Sequence, residues 1–286
     1  MGLFLITPLT IQTLLHSARR TLIMGIVNVT PDSFSDGGAY FEPDNAIRHA
    51  LELADEGADI LDFGAESTRP GAEAVPPEEQ LRRLKPVIRE VKKSVSVPIS
   101  IDTTSARVAA DLIDVGADIV NDISGMQFDQ QMAEVVAQKD CPVIIMHIQG
   151  TPRTMQKAPS YKDVISDIYQ YFQKRIHYAI EHDISEENII LDPGIGFGKT
   201  VEHNYRIIRE LSEFSVLNKP LLMGGSRKSF IGATLDLGVD ERLEGSLAVA
   251  AVSIMNGARI LRVHDVQATV RVARMVDTIL QVQETI

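Results

Sequence analysis

The strings Gly57-Ala-Asp-Ile60, Gly116-Ala-Asp-Ile119 and Gly257-Ala-Arg-Ile260 are three copies of one short pattern in this 286-residue chain. Each copy follows a segment with helical spacing of apolar residues and opens an apolar run. Glycine suits the left-handed conformation that ends a helix, and a β-branched residue soon after it favours a buried strand. The repeated pattern therefore predicts helices that pass directly into strands.

Eight apolar runs have the length of strands, and they are continuous rather than alternating, which is typical of parallel strands buried on both faces. They are Leu22–Asn28, Ile60–Gly64, Pro98–Asp102, Ile119–Asp122, Val143–His147, Ile189–Asp192, Pro220–Gly224 and Ala258–Arg262. Amphipathic helical segments separate them. Eight such units without a low-complexity linker favour a single (β/α)8 TIM barrel over an open doubly wound sheet. We expect one domain over residues 1–286, with an N-terminal extension over 1–21 and the barrel over 22–280.

The composition argues against several classes of function. A net charge of -11 argues against broad contact with nucleic acid or an anionic membrane, which both favour a basic face. The single cysteine, Cys141, excludes an internal disulfide framework and predicts an inert structural thiol. Met1–Ile6 is apolar but no basic residue precedes it, and no later apolar run is long enough to span a membrane. We therefore expect a cytoplasmic protein.

Polar residues cluster where the predicted strands end, and in a TIM barrel that edge forms the active site. They are Asn28, Asp62, Asp102, Asn121, His147, Asp192, Lys228, Arg262 and His264. Asp102, Asn121 and Asp192 could together bind the donor edge of a flat heterocycle. The alternative is that each one caps the following helix.

Two segments, Ser226-Arg-Lys-Ser229 and Arg262-Val-His264, place cations where barrels often bind phosphate. Arg227 and Lys228 could instead form a solvated helix start, although positive charge there opposes the helix dipole. No His/Cys cluster has zinc spacing, whereas Asn28 together with a substrate diphosphate would suit Mg²⁺.

Three loops carry further signals. Thr30–Gly38 and Glu66–Gly71 are polar, rich in turn residues and of the size of active-site lids. Asp192–Lys199 is rich in glycine but lacks the spacing of a phosphate-binding loop. We interpret it as a shaped loop whose Phe197 stacks on a planar ligand.

Seven segments of the chain together resemble the signature stretches of the dihydropteroate synthase family, in the same order and spacing. They are Met24–Gly38, Asp62–Gly71, Asp122–Gly125, Met146–Pro152, Asp192–Lys199, Ser226–Gly232 and Arg262–Asp265. The resemblance implies a TIM barrel, a homodimer and a Mg²⁺-dependent transferase of folate synthesis. Such an enzyme condenses 6-hydroxymethyl-7,8-dihydropterin diphosphate with 4-aminobenzoate, which gives 7,8-dihydropteroate and pyrophosphate. An aminobenzoate site also makes sulfonamides plausible competitors.

The resemblance also implies a role for individual residues. Those for the pterin ring are Asp102, Asn121, Asp192, Lys228, Met146, Phe197 and Arg262. Those for the diphosphate are Thr68, Arg69, Arg262 and His264, with Asn28 at Mg²⁺. Those for 4-aminobenzoate are Phe34, Pro70, Lys228 and Ser229, and its carboxylate would lie at a helix N-terminus that begins with Ser229. Asp102, Lys228, Arg262 and Arg69 are the expected catalytic residues.

We expect a dissociative displacement, in which the diphosphate departs and leaves a cation conjugated with the dihydropterin. The arylamine is neutral at pH 7 and needs no strong base before it attacks. Two alternatives have the same barrel: a methyltetrahydrofolate methyltransferase, and a non-catalytic pterin-binding relative. A methyltransferase would not need the Ser-Thr-Arg-Pro or Ser-Arg-Lys-Ser segments, which this chain has. A non-catalytic relative would not need a complete set of cations, which this chain also has.

Overall fold

A computed structural model describes residues 14–15, 20–30, 43–67 and 71–281 of the chain. In these residues eight parallel strands form one sheet. In chain order, β1 to β8 are Leu22–Asn28, Ile60–Gly64, Ile99–Asp102, Ile119–Asp122, Val143–Met146, Ile189–Asp192, Leu222–Met223 and Ile260–Val263. All eight predicted strands are therefore confirmed, with shifts of one or two residues at some ends.

The sheet order is β6-β5-β4-β3-β2-β1-β8-β7, so chain neighbours pair throughout and β1 also pairs with β8. The remaining edges, β6 and β7, meet through a parallel bridge between Leu191 and Leu221. The sheet thus curves into a (β/α)8 barrel, and the predicted fold class is confirmed.

Helices pack on the outside of the barrel and connect successive strands. In chain order, α1 to α9 are Pro43–Asp55, Pro77–Ser94, Ala106–Ile113, Met132–Lys139, Val164–Glu181, Val201–Arg209, Ser229–Leu235, Leu243–Met255 and Val266–Gln281. Their apolar stripes form the larger core together with the outward-facing strand residues. Within the described residues, none of these helices is long and apolar enough to cross a membrane.

A second, smaller core fills the barrel interior near the amino ends of the strands. Six strands each contribute one apolar residue to this layer: Ile60, Ile119, Ile144, Ile190, Leu222 and Ile260. Leu14, which precedes the barrel, is buried in the same cluster. The layer closes the barrel from below.

The functional residues lie one layer above this core. Side chains alternate across a strand, so the residue two positions onward also faces the interior. Those residues are Asp62, Asn121, Met146, Asp192, Gly224 and Arg262. Each of these six strands therefore carries an apolar residue at the bottom of the barrel, and the residue two positions onward lies in the layer at or just below the cavity.

Candidate active site

A cavity that opens to solvent lies at the carboxyl ends of the strands. It is lined by Asp102, Asn121, Ile123, Met146, Asp192, Ile195, Phe197, Gly224, Lys228 and Arg262. All seven residues predicted for the pterin ring thus lie together at this one cavity. Two carboxylates, one amide and two cations line the polar part, and aliphatic, thioether and aromatic groups line the rest.

The hydrogen bonds below the cavity converge on Asp62, which is fully buried in the middle of β2. Its Oδ2 accepts hydrogen bonds from Arg262 Nε at 2.6 Å and from Asn121 Nδ2 at 3.2 Å. Its Oδ1 accepts a hydrogen bond from Ser100 Oγ at 2.6 Å. Asp62 therefore sets the orientation of two cavity residues although it does not line the cavity itself.

Arg262 joins this network to Asp102, because its Nη2 donates to Asp102 Oδ2 at 2.8 Å. One guanidinium thus serves two buried carboxylates, which leaves the group with one excess negative charge. Burial and the nearby carboxylate raise the pKa of Asp102 to about 7, even though Arg262 acts in the opposite direction. The same carboxylates raise the pKa of Arg262, which stays charged.

Asp192 ends β6 and turns the chain into the glycine-rich loop. Its Oδ1 accepts a hydrogen bond from the backbone N–H of Gly194 at 2.7 Å. Its other oxygen lies near Gly224, where a Cβ atom would come within 4.0 Å of it, and both residues line the cavity. One carboxylate oxygen therefore shapes the turn, and the other is available to a ligand's N–H group.

The helix-cap alternative for these polar residues is wrong. The helices after β3, β4 and β6 begin at N-cap residues Ser105, Gln131 and Thr200. Ser105 and Thr200 accept the capping hydrogen bonds with their own hydroxyl groups. Asp102, Asn121 and Asp192 are therefore not required to cap these helices.

Lys228 lies at the N-cap of α7, and that helix begins at Ser229 as the sequence predicts. Its Nζ lies 4.2 Å from the ring centroid of Phe197, a distance that suits a cation–π contact. Burial and the charge of Arg262 lower the pKa of Lys228 to about 8. Lys228 and Phe197 thus form one wall of the cavity.

The other two cations predicted near this edge behave differently from Lys228. Arg227 forms two hydrogen bonds to Asp265, at 2.9 and 2.6 Å, and does not line the cavity. His264 shares a 3.0 Å hydrogen bond with Ser226 Oγ, and burial and nearby cations lower its pKa to about 4. His264 is therefore neutral at neutral pH, and a neutral imidazole can still donate a hydrogen bond.

Asn28, the predicted Mg²⁺ ligand, ends β1 and is half-buried. Among the described residues, no group of three or more His, Cys, Asp or Glu side chains could hold a metal ion by itself. An amide oxygen is a ligand type that Mg²⁺ accepts when substrate phosphates supply further oxygens. Asn28 fits that mode of binding.

Four predicted site residues, Phe34, Thr68, Arg69 and Pro70, lie outside the described residues. The backbone N–H of Gly71 donates to the carbonyl of Pro152 at 3.3 Å. The loops after β2 and β5 are therefore in contact.

Sequence reasoning assigned no ligand role to Asp62, Ile123 or Ile195. Asp62 carried a signal, because an acidic residue within an apolar five-residue strand must find partners when it is buried. Ile123 follows β4 directly and Ile195 lies three residues after β6, but both look like ordinary core residues in the sequence. Nothing in the sequence around Ile123 or Ile195 distinguishes them from isoleucines of the core.

Comparison with known proteins gives a consistent result. The sequence model of the family described as "Pterin binding enzyme" matches residues 24–264. A dihydropteroate synthase from Synechocystis is 46% identical over 269 residues, which is 94% of this chain and 93% of the relative. A Yersinia pestis dihydropteroate synthase, solved with a sulfonamide drug complex, superposes with a TM-score of 0.88 at 41% identity, covering 92% of this chain and 95% of that one. The Xanthomonas albilineans enzyme in complex with 7,8-dihydropteroate gives a TM-score of 0.84 at 37% identity, covering 92% and 95%.

Proposed function

Since the chain belongs to the dihydropteroate synthase family of pterin-binding enzymes, we propose that its strand-end cavity binds the dihydropterin and that the reaction is a dissociative displacement. As a member of this family, the protein condenses 6-hydroxymethyl-7,8-dihydropterin diphosphate with 4-aminobenzoate, which gives 7,8-dihydropteroate and pyrophosphate. It is a transferase, and neither methyl transfer nor a non-catalytic role describes it.

The convergence of Asp102, Asn121 and Asp192 on one cavity carries the proposal for the pterin. The ring's amino group and ring N–H form a guanidine-like donor edge, which matches a carboxylate such as that of Asp192. Phe197 and Met146 provide apolar contact for the faces and edges of the ring. Gly224 has no side chain, so the ring can approach the strand closely at that point.

The cations support departure of the diphosphate. Arg262 and Lys228 carry positive charge at the cavity, and His264 can donate a hydrogen bond while neutral. These groups stabilise the negative charge that grows on the leaving oxygen. Ionised Asp102 lies at the same cavity and stabilises the methylene cation left on the dihydropterin. The arylamine nitrogen then attacks that carbon and afterwards loses a proton, so binding and electrostatics supply most of the rate enhancement.

We propose that Asn28 contributes a ligand to a Mg²⁺ ion. When bound, the ion neutralises charge on the diphosphate. The experiment is a Mg²⁺ titration of turnover: Asn28→Ala should raise the Mg²⁺ concentration for half-maximal activity, without changing pterin affinity measured with the metal chelated. An unchanged titration curve would remove Asn28 from the metal site.

The decisive assay is formation of dihydropteroate and pyrophosphate by the purified protein. Dihydropterin diphosphate, 4-aminobenzoate and Mg²⁺ are omitted one at a time, and product is expected only in the complete mixture. Turnover without Mg²⁺ would overturn the metal proposal alone. Absence of product in the complete mixture, with pterin still bound, would contradict the enzymatic function.

We also propose that the protein is a homodimer that acts in the cytoplasm. Apolar side chains on the outer faces of α8 and α9, including Met255 and Met275, are more than half exposed. Such a surface suits a second copy of the chain. The buried, free thiol of Cys141 is compatible with a reducing compartment, and cell fractionation followed by immunoblotting tests that location.

A further inference from the structure

Lys199, at the end of the glycine-rich segment, is a buried lysine that the mechanism does not use. Burial lowers its pKa to about 7, although the carboxylate of Asp192 acts in the opposite direction. Its side chain is almost fully buried, with only 3% of the residue exposed. Among the described residues it forms no ion pair with a carboxylate, and it does not line the cavity. Burying an ammonium group without a carboxylate partner is costly, so its surroundings must supply other acceptors.

Three acceptors surround the ammonium group of Lys199. Its Nζ lies 2.9 Å from His147 Nδ1, 3.2 Å from the His147 carbonyl and 2.9 Å from the Phe197 carbonyl. An ammonium group has three N–H donors, so each one finds an acceptor. This requires His147 to accept at Nδ1 and to carry its proton on Nε2. Burial and the charge of Lys199 keep the pKa of His147 well below its ordinary value, which is consistent with that neutral form.

These contacts join two loops behind the cavity wall, the β5 loop (residues 147–163) and the β6 loop (residues 193–200). Both loops reach the cavity, because Met146 and Phe197 line it. Met146 precedes His147 in the chain, and the carbonyl of Phe197 is itself one of the three acceptors. The loops also meet through Tyr161 Oη, which donates to the Gly198 carbonyl at 2.7 Å, and Gln156 Nε2, which donates to the Gly196 carbonyl at 2.7 Å. Those two bonds lie on more exposed parts of the loops, whereas the Lys199 contacts lie at their buried base.

The position of Phe197 depends directly on this arrangement. Its carbonyl accepts from Lys199, and its ring packs against Lys228 at the cavity. The positive charge of Lys199 also acts favourably on Asp192, the carboxylate that begins the same loop. Lys199 therefore influences two pterin-facing residues from outside the cavity.

We infer that Lys199 is a positioning residue for pterin binding: its ammonium group locks the β5 loop to the β6 loop and so holds Phe197 and Asp192 in place. This inference rests on the proposed pterin site. Lys199 touches neither substrate, and its contribution appears in pterin affinity rather than in recognition of 4-aminobenzoate.

The test compares Lys199→Met with Lys219→Met. Lys219 is a suitable control because its side chain is 9% exposed and its Nζ donates to the Glu186 carbonyl at 3.0 Å, at the amino ends of the strands. The measurements are the Kd for dihydropterin diphosphate by calorimetry, the KM for each substrate and the melting temperature. Lys199→Met should weaken pterin affinity about tenfold or more, a loss typical of hydrogen bonds to a charged group, and should leave the aminobenzoate KM within about twofold at saturating pterin. Lys219→Met should leave both quantities within about twofold.

Two variants of His147 test the same contact while Lys199 stays unchanged. His147→Asn keeps an acceptor near the position of Nδ1 and should retain most of the pterin affinity, whereas His147→Leu should lose it. Loss of melting temperature with unchanged pterin affinity in both Lys199→Met and His147→Leu would overturn the inference and leave a purely structural role. Equal loss of affinity for both substrates would also overturn it. Failure of the wild-type protein to form dihydropteroate would instead contradict the proposed function.

Discussion

Asp62 shows how a residue that does not line the cavity can set the geometry of those that do. Its two oxygens accept hydrogen bonds from Arg262, Asn121 and Ser100, which belong to three other strands. A carboxylate can accept all of these bonds at once because it has two oxygens and no donor of its own. Neutralising it would leave the guanidinium of Arg262 with Asp102 as its remaining carboxylate partner.

We therefore expect Asp62→Asn to lower kcat/KM for the pterin substrate roughly tenfold to hundredfold, since a hydrogen bond to a charged group contributes about 1.5 to 3 kcal/mol. Steady-state kinetics on the purified variant measures this. Ser100→Ala is the matched control, because it removes the 2.6 Å hydrogen bond to Asp62 Oδ1 but leaves the carboxylate charge in place. A similar loss in both variants would assign the effect to packing rather than to charge.

The pH dependence of catalysis follows from Asp102 and Lys228. Burial raises the pKa of Asp102 to about 7 and lowers the pKa of Lys228 to about 8. Asp102 is ionised above its pKa, and Lys228 is charged below its own. If both charged forms are needed, kcat/KM for the pterin substrate rises through about pH 7 and falls through about pH 8, which gives a narrow bell. Loss of the Lys199 proton, whose pKa is about 7, adds to the fall on the alkaline side.

Asp102→Asn isolates the lower limb of that bell. The variant should turn over more slowly and should lose the rise in kcat/KM near pH 7, while the fall at higher pH remains. A lower limb that persists in the variant would belong to the substrate's own phosphate groups. Pterin diphosphate affinity should fall less than turnover, because Asp102 acts on the cation that forms after the diphosphate departs.

At this scale, the sequence predicted which side chains meet at the cavity, since all seven pterin residues line it. It did not predict their connections. Asp62 and Arg262 are 200 residues apart in sequence, and only the closed barrel brings their strands into one network. The lowered pKa of His264 also depends on the fold, because it results from burial and from the charges of Arg262 on its own strand and of Arg227 after β7.

Of the glycines that the structure describes, Gly194 in the β6 loop leaves the least room for a side chain. Gly194 has φ +69°, and a Cβ atom at this position would lie 2.0 Å from the carbonyl oxygen of His147. No side chain fits there without moving the loop, and Asp192 and Phe197 would move with it. This close approach explains why position 194 is a glycine. The sequence alone identified Asp192–Lys199 only as a shaped loop.

Gly194→Ala should therefore raise the Kd for dihydropterin diphosphate about tenfold or more, measured by calorimetry, in addition to lowering stability. Gly257→Ala is the control, because Gly257 has φ +98° and nothing lies within 4 Å of its added Cβ. Both variants lose about 1 kcal/mol or more from the left-handed backbone. Only the first should change pterin affinity, and a parallel change in the second would argue against the steric explanation.

The strands were predictable because continuous apolar runs identify parallel strands buried on both faces. The ends of the strands were less predictable. Pro98 and Pro220 were expected to open β3 and β7, but proline has no N–H to donate to the ladder, and those strands begin later. Their carbonyls nonetheless accept hydrogen bonds from Leu61 and Leu191, so both prolines still lie at the barrel wall.

For the whole molecule, the described lining of the cavity comes from strands and loops around the barrel. The sequence predicted this architecture from eight repeated units, and the closed sheet confirms it. Assembly is a separate question, because it depends on surface residues whose pattern does not affect the barrel. Association and catalysis should therefore be separable by mutation.

The exposed apolar residues of α8 and α9 provide the means to separate them. Val252 and Met255 lie one turn apart on α8, and Met275 and Ile279 lie one turn apart on α9, which packs against α8. Met255 and Met275 are 64% and 62% exposed, and with Val252 and Ile279 they form an apolar patch on two packed helices, which suits a partner. A second copy of the chain would bury both stripes at once in a symmetric interface.

We expect wild-type protein to sediment as a dimer at micromolar concentration, and Met275→Glu to sediment as a monomer, because a buried unpaired carboxylate is costly. Ile180→Glu on α5 is the control, since Ile180 is also apolar and exposed but lies on another helix, and it should remain dimeric. The monomeric variant should keep at least about half of the wild-type kcat, because the described cavity residues lie at the strand ends and not on α8 or α9. A wild-type monomer, or a Met275→Glu variant that still dimerises, would place the interface elsewhere or remove it. A monomer that folds but has lost turnover would mean that the second subunit supports the active-site loops, and catalysis would then depend on assembly.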